Sequence, residues 1–219
     1  NYRRDLLQFI PFLEERGSLF LDVRRINHDI ARQYLRHLEK LGLSRKSMAR
    51  KISALRSFFK YLLSIKRINA NPFELLLTPK LEKRLPSFLY PEEIELLLKA
   101  PNVKTASGIR DKSILEVLYA SGIRVTELIN LRLDDIDLSL GEVKVLGKGS
   151  KERIALLGSH AIKSLRLYLA ESRQKFIRNK KDTTFFLTRL GTKFTRRSIE
   201  RMIKKYSKKS AFIKKVTPH

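Results

Sequence analysis

Cysteine is absent from the 219 residues, and so is tryptophan. The absence of cysteine excludes disulfide bonds and thiolate zinc sites, and it favours an intracellular protein. No apolar run approaches the ~18–20 residues of a membrane-spanning helix, and no secretory signal opens the chain. We therefore predict no association with a membrane. The chain opens on Asn1 rather than Met, which suggests that further residues precede it in the natural protein.

Acidic residues are also scarce. The sequence has 22 Asp+Glu against 47 Lys+Arg, a formal net charge of +25. Such an excess predicts a polyanionic partner, because basic side chains neutralise phosphates and release their counterions. The alternative is a charge that only keeps the protein soluble. The basic residues occur in both halves of the chain, so they do not form a separate tail.

Residues 1–80 are predicted to form a small all-helical domain. Apolar side chains recur at helical spacing over residues 2–16, despite Pro11, and again over residues 27–41. Asn27 is a candidate N-cap for the second helix, and Ser44 for a third one. Asn71-Pro72 is predicted to open a short fourth helix that ends at Leu77. The expected domain is a four-helix bundle.

The third predicted helix is strongly basic. Serine and apolar residues separate its cations, so several of them share one face, and like charges on a helix face repel one another. Contact with the DNA backbone would relieve that repulsion, whereas a solvated surface is the alternative. The candidate DNA-binding residues of this helix are Arg45, Lys46, Arg50, Lys51 and Arg56.

A charged, proline-containing stretch at residues 81–87 is predicted to link this domain to a second one over residues 88–219. The second domain is predicted to begin with a helix at Pro91 and to contain further helices at 108–121, 125–131, 159–173 and 195–208. Alternating stretches over residues 135–157 predict a three-stranded antiparallel sheet with turns at Gly141 and Gly147/Gly149. The fold class is therefore mainly α with a small antiparallel β-sheet.

One ordered set of motifs lies in this second domain. Residues 122–128, GIRVTEL, are followed by a Gly-Lys-Gly loop whose lysine, Lys148, comes 24 residues after Arg124, and VTPH closes the chain. The set resembles the catalytic domain of tyrosine recombinases of the Xer and phage-integrase type. The first domain is similar to the core-binding domain of that family. The resemblance covers essentially the whole chain and favours the Xer branch.

The resemblance implies a role for each matching residue. It makes Arg124, Lys148 and His219 catalytic, and Glu127 a supporting acid. The second catalytic arginine and the nucleophilic tyrosine of the family have no counterpart in the sequence, because all seven tyrosines precede His219. We therefore predict that the catalytic domain is truncated at its carboxy-terminal end and that these 219 residues alone bind DNA without cleaving it.

The chemistry implied is transfer of a DNA phosphodiester to a tyrosine and then to another strand, through a 3′-phosphotyrosine. Arginine offers a charged planar fork to the phosphate oxygens, and a loop lysine can protonate the leaving oxygen. No metal and no cofactor is implied. The resemblance also implies a homo- or hetero-tetramer on two double-stranded DNA sites, in a cytoplasmic protein associated with the nucleoid. Further DNA contacts are predicted at Lys151, Arg153, Arg196, Arg197 and Arg201.

Other functions are open at this stage. A non-catalytic, architectural DNA-binding protein derived from an integrase is the main alternative, and a type IB topoisomerase-like enzyme would share the chemistry. Asp134, Asp135 and Asp137 could suggest a nuclease metal site, but their place at a helix-to-strand turn favours capping. His28 and His37 lack a third ligand nearby, so they do not predict a metal site.

Overall fold

The computed structural model describes residues 2–15, 22–78, 88–147 and 152–210. The chain divides into two compact units, Asn1–Leu85 and Pro86–His219, and each has its own hydrophobic core. Among the described residues, no helix is long and apolar enough to cross a membrane. The predicted linker at residues 81–87 lies outside the described residues.

The first unit is all-helical. Its helices are α1 (Tyr2–Leu7), α2 (Phe9–Glu14), α3 (His28–Lys40) and α4 (Arg45–Ser64), with a 3-10 turn at Val23–Arg25. Asn27 and Ser44 cap α3 and α4 through their side chains, at the positions that the sequence predicts. The helix predicted over residues 2–16 is instead two helices that meet at Gln8. Pro11 therefore falls in the first turn of α2, where its missing N–H has no helical partner to lose.

The predicted fourth helix at residues 71–77 is wrong, because this segment forms turns. The Asn71 side chain accepts from the backbone N–H of Phe73 at 3.0 Å and donates to the Arg56 carbonyl at 3.1 Å. The Arg56 guanidinium donates to the carbonyls of Phe73 and Leu76. These side-chain bonds satisfy backbone groups that would otherwise pair within a helix. The segment therefore forms turns in place of the predicted helix. Phe73 is thereby fixed in the core of the first unit.

The second unit combines helices with a small sheet. Its helices are α5 (Pro91–Lys99), α6 (Ala106–Ser121), α7 (Val125–Asn130), α8 (Ser159–Leu167) and α9 (Arg196–Lys209). The strands β1 (Ile136–Asp137), β2 (Glu142–Leu146) and β3 (Glu152–Leu156) lie in the order β1-β2-β3 and pair antiparallel. The predicted fold class, mainly α with a small antiparallel sheet, is confirmed.

The helix predicted over residues 159–173 is regular only to Leu167. It continues as a wider π-helical turn, Tyr168–Ser172, and a 3-10 turn, Arg173–Lys175. Ser172 and Arg173 both become buried there. The Arg173 guanidinium donates to the carbonyls of Asp182, Thr184 and Phe185 at 3.1, 2.7 and 3.2 Å. This arginine clamp holds an irregular segment against the core and leaves the preceding turn at the surface.

Helix α6 lies at the centre of the second unit, and most of its residues are buried. Two of its buried charged residues, Arg110 and Asp111, are paired with each other. Arg110 donates through two nitrogens to Asp111, lies 4.9 Å from the ring centres of Phe176 and Phe194, and also reaches the Leu187 carbonyl. The Tyr206 hydroxyl donates to the other Asp111 oxygen at 2.8 Å. This network attaches α9 to α6.

Candidate functional site

Arg124 lies at the junction of α6 and α7. Helix α6 ends at Gly122, whose φ of 58° is left-handed, a conformation that a glycine adopts without the steric cost of a Cβ. Ile123 is buried, and Arg124 then takes the N-cap position of α7. The Arg124 side chain is 61% exposed. The turn thus fixes the backbone of Arg124 and leaves its guanidinium at the surface.

The Glu127 carboxylate organises this site. Its side chain is only 4% exposed. One oxygen accepts from the Arg124 backbone N–H at 2.7 Å and from Arg153 at 2.8 Å, and the other accepts from the Arg124 guanidinium at 2.9 Å. The first of these bonds is the one that a glutamate at the third helical position makes to its N-cap residue. One buried carboxylate therefore positions two arginines.

Burial by itself raises the pKa of Glu127. The backbone N–H and guanidinium of Arg124, together with the positive charge of Arg153, outweigh that effect, so the pKa lies below its ordinary value of 4.5. Glu127 is therefore ionised at neutral pH. A permanently charged carboxylate can orient arginines, but it is a poor proton donor.

Arg153 reaches the same carboxylate from β3. It pairs with Val145 in the sheet register, and its side chain is 41% exposed. The bond to Glu127 connects the β2–β3 hairpin to the start of α7, although the two residues are 26 positions apart in sequence. The predicted DNA contact at Arg153 thus lies beside Arg124.

The exposed guanidiniums of Arg124 and Arg153 can accept an oxyanion. An arginine has five N–H donors, and the bond of Arg124 to Glu127 uses one guanidinium nitrogen. The remaining donors can form the bidentate, charge-assisted bonds that phosphate oxygens favour. The arrangement suits binding of a phosphate that approaches from solvent.

Three predicted site residues lie outside the described residues: Lys148, Lys151 and His219. Lys148 and Lys151 belong to the connection between β2 and β3, and the pairing of Leu146 with Glu152 is the last described rung of that hairpin. Arg153 follows Glu152 directly in β3. The arginine that bonds Glu127 is therefore two positions from Lys151 in the sequence.

The basic side chains of α4 divide into two groups. Arg45 and Lys46 are exposed, and Arg50 is 40% exposed while it bonds Asp5. Lys51 is buried, where it bonds Asp5 and Gln8. Arg56 points into the turn at residues 71–77, as described above.

This placement corrects two of the DNA contacts predicted for α4, those of Lys51 and Arg56. Lys51 and Arg56 hold the first unit together and do not belong to its exposed basic surface. With about 100° per residue, Lys46, Arg50, Ser53, Ser57 and Lys60 lie within one narrow stripe of α4. All five are exposed. We call these five residues the α4 stripe.

Helix α9 carries a second basic surface. Arg196, Arg197 and Arg201 are all exposed, and Arg196 pairs with Glu200 at 2.9 Å. Thr195 caps the helix, because its side chain accepts from the backbone N–H of Ser198. The buried side, including Ile199 and Tyr206, faces the core, so the arginines face solvent.

The aspartates after α7 have structural roles. Asp135 accepts from the Arg132 backbone N–H, and Asp137 accepts from the backbone N–H groups of Ser139 and Leu140. Within the described ranges, no group of three His, Cys, Asp or Glu side chains could hold a metal ion. His28 bonds the Pro72 carbonyl, and His37 stacks on Tyr34.

Sequence reasoning missed the paired charges of Arg110 and Asp111 and the carbonyl-binding role of Arg173. Each is a charged residue at a buried position. Arg110 and Asp111 are adjacent in a helix that is otherwise apolar on several sides, and this pattern is the one signal that could have revealed them. For Arg173 the sequence carries no comparable signal.

Family models match both parts of the chain. Residues 87–219 match the phage integrase family, and residues 1–66 match the phage integrase N-terminal SAM-like domain. Among curated proteins, the chain is 43% identical to a tyrosine recombinase XerC from Pelotomaculum thermopropionicum and 39% identical to a tyrosine recombinase XerD from Staphylococcus epidermidis. Both matches cover 100% of this chain, and 74% and 73% of the respective relatives.

Solved structures show the same fold. The chain is 27% identical to XerA recombinase, with a TM-score of 0.54 over 100% of this chain and 71% of that one. It matches XerH site-specific recombinase, bound to its difH substrate, with a TM-score of 0.69 at 21% identity over 98% of this chain and 63% of that one.

Proposed function

Because the chain belongs to the phage integrase family and is related along its whole length to Xer tyrosine recombinases, we propose that it acts in site-specific DNA recombination. It binds duplex DNA and activates a phosphodiester for transfer to a tyrosine, with a 3′-phosphotyrosine as the intermediate. Integration, excision and resolution of chromosome dimers are all reactions of this type.

The observation that carries the proposal is the pair of exposed guanidiniums held by buried Glu127. A phosphoryl-transfer transition state places additional negative charge on the non-bridging oxygens. Donors that are already oriented stabilise that charge without reorganising during the reaction. Arg124 is therefore assigned to the phosphate as a catalytic residue, and Glu127 is assigned as a positioning residue.

Lys148 and His219 complete the proposed phosphate site. Lys148 would protonate the leaving 5′-oxygen, and His219 would donate to the phosphate or assist the nucleophile. We place the nucleophilic tyrosine outside these 219 residues. Tyr34, Tyr168 and Tyr206 are buried, and the hydroxyls of Tyr168 and Tyr206 are bonded within the core, so these three are unsuited to attack DNA.

Both units are assigned to DNA. The exposed residues Arg45 and Lys46 of α4 and the arginines of α9 neutralise backbone phosphates, in keeping with the net charge of +25. Four protomers on two DNA sites, from one gene or two, are the proposed assembly. The proposed location is the cytoplasm, at the nucleoid.

Replacement of Arg124 by alanine tests the catalytic assignment. In full-length protein that contains this chain, we expect Arg124→Ala to lower the rate of strand cleavage by at least about a hundredfold, because an oriented donor to the transition state is lost. DNA affinity should stay within several-fold. Single-turnover cleavage of a labelled site and a gel-shift titration measure the two quantities.

Lys163→Ala is the matched control, since Lys163 is an exposed cation of α8 outside the site. It should leave cleavage unchanged. An equal loss of affinity and cleavage in Arg124→Ala would make Arg124 an affinity residue and contradict its catalytic role.

Nicked suicide DNA tests the reaction class. Full-length protein should become covalently attached to the labelled strand and migrate as an adduct on a denaturing gel. The 219-residue chain should bind the same DNA and form no adduct. The absence of an adduct with full-length protein under binding conditions would favour an architectural DNA-binding protein instead.

A further inference from the structure

The first unit contains a cavity of about 430 Å³ that the proposed recombination chemistry does not use. It lies between α1, α3 and α4. Its wall is mixed, with apolar leucines along one part and polar or basic groups along another. The polar part consists of Arg4, Gln8, Tyr34, His37, Ser47, Arg50 and Lys51.

Basic side chains meet in this cavity around one buried carboxylate. Arg50 and Lys51 both bond Asp5, whose side chain is 2% exposed, and the Lys51 ammonium also donates to the Gln8 side chain. Burial lowers the pKa of Lys51, and the nearby guanidiniums of Arg50 and Arg4 lower it further. The Asp5 carboxylate is thus the shared ion-pair partner of both Arg50 and Lys51. A second anion bound close to them would reduce the repulsion between these two cations.

Tyr34 provides an independent indication of a ligand. It is fully buried and lines the cavity, and its ring packs against Phe9, Phe12 and His37. Within the described part of the chain, its hydroxyl has no hydrogen-bond partner. Buried hydroxyl groups are nearly always hydrogen-bonded, so an unpaired one beside a cavity indicates a missing acceptor or donor.

We propose that this cavity binds a phosphate group, which accepts hydrogen bonds from Arg50, Lys51 and the Tyr34 hydroxyl. Two cations and a neutral hydroxyl are the donors that phosphate oxygens favour, and the cavity is large enough for the group and its first waters. The phosphate can come from two sources, a free phosphate anion or the backbone of bound DNA. The site does not depend on the recombinase assignment, because none of its residues belongs to the Arg124 site.

His37 gives a local readout for the test. Its ring stacks on Tyr34, 6.2 Å between centroids, whereas His160 lies in the second unit. Inorganic phosphate is titrated into the 219-residue chain at constant pH and ionic strength, with chloride as the replaced anion, while the histidine ring signals are followed by NMR. We expect the His37 signal to shift along a saturable curve and the His160 signal to stay in place.

Substitutions then assign the binding to the cavity. Tyr34→Phe keeps the packed ring, removes the hydroxyl, and should weaken phosphate binding by about tenfold, since one hydrogen bond to a charged group is lost. Lys51→Met should abolish it. The matched controls are Tyr61→Phe and Lys40→Met, which change exposed residues outside the cavity, and both should bind phosphate as the wild type does.

A duplex DNA arm distinguishes the two sources. If DNA shifts the His37 signal and Tyr34→Phe weakens DNA binding, the ligand is a backbone phosphate. If DNA leaves His37 unchanged while inorganic phosphate shifts it, the ligand is a free anion. Both outcomes support the site. The proposal would be overturned if the His37 signal responded to neither DNA nor inorganic phosphate. It would also be overturned if the signal responded equally in the wild type and in Tyr34→Phe.

Discussion

At the scale of single residues, Glu127 decides the geometry of the candidate site. Glu127→Gln keeps the size of the side chain but removes the charge that orients Arg124 and Arg153. We expect the free energy of unfolding to fall by about 1.5–3 kcal/mol, the range for hydrogen bonds to charged groups, and the rate of cleavage by full-length protein to fall as well. Urea unfolding followed by circular dichroism measures the first quantity.

The pH dependence gives this prediction a second readout. The pKa of Glu127 is lowered in the folded protein. Its contribution to the free energy of unfolding is therefore fully present above 4.5, the pKa in the unfolded chain, and is lost as the pH falls through the lower pKa of the folded protein. The difference between wild type and Glu127→Gln should therefore shrink in acid. Glu200→Gln, which removes an exposed partner of Arg196, should cost little at any pH. A constant difference across the acid range would contradict the assignment.

The residue scale also shows where sequence reasoning stops. The family resemblance assigned Arg124 and Glu127 together, and their spacing of three positions at one helix start makes the contact a local one. The bond from Arg153 could not be predicted, since it depends on how the hairpin packs against α7. The inward orientation of Lys51 and Arg56 is not predictable from the sequence for the same reason. Their partners Asp5 and Phe73 are distant in sequence.

At the scale of elements, the α4 stripe should behave differently from the inward-facing cations of the same helix. Lys46→Ala and Lys60→Ala should each reduce the slope of log affinity against log salt by about one, as expected for the loss of one phosphate contact. Arg56→Ala should instead lower the free energy of unfolding, because its bonds to the Phe73 and Leu76 carbonyls are lost. DNA titrations at several salt concentrations, with thermal unfolding, separate the two.

Arg56→Ala is the internal control, since it removes the same kind of charge from the same helix. If it reduced the salt slope as much as Lys46→Ala, then Arg56 would leave its carbonyl partners to contact DNA. If Lys46→Ala and Lys60→Ala left the slope unchanged, the stripe would be a solvated surface.

Helix starts were predictable because a capping side chain acts on its own helix. Asn27 and Ser44 both cap the helices that the sequence assigns to them. Helix interruptions were harder, because their causes are tertiary. The turns at residues 71–77 depend on Arg56, and the wide turn at Tyr168–Ser172 brings Arg173 to carbonyls more than eight residues away.

At the scale of the whole molecule, each unit contains a buried tyrosine that resists ionisation. Burial raises the pKa of Tyr34 to about 12 in the first unit and that of Tyr168 to about 12 in the second. Burial, and then the Asp111 carboxylate, raise the pKa of Tyr206 as well. The stability that these un-ionised hydroxyl groups contribute is fully present below pH 10.0, the tyrosine pKa in the unfolded chain. It is lost as the pH rises through the higher pKa values of the folded protein.

We therefore expect both units to unfold between about pH 10 and pH 12, with release of phenolic protons in the same step. Tyrosinate absorbance near 295 nm is free of interference from tryptophan, which the chain lacks. Circular dichroism recorded in parallel reports the helices. Tyrosine ionisation that reaches completion well before the helical signal changes would show that the buried hydroxyls do not couple to folding.

The arginine clamp at Arg173 has a practical consequence for labelling. It secures residues 182–185 by their carbonyls, while the turn just before them, which contains Asn179, Lys180 and Lys181, is exposed. Because the chain has no cysteine, Lys180→Cys would introduce a unique thiol. A fluorophore or spin label at that thiol would report on the second unit and leave Arg124 and Arg153 unaltered, because the labelled turn is exposed.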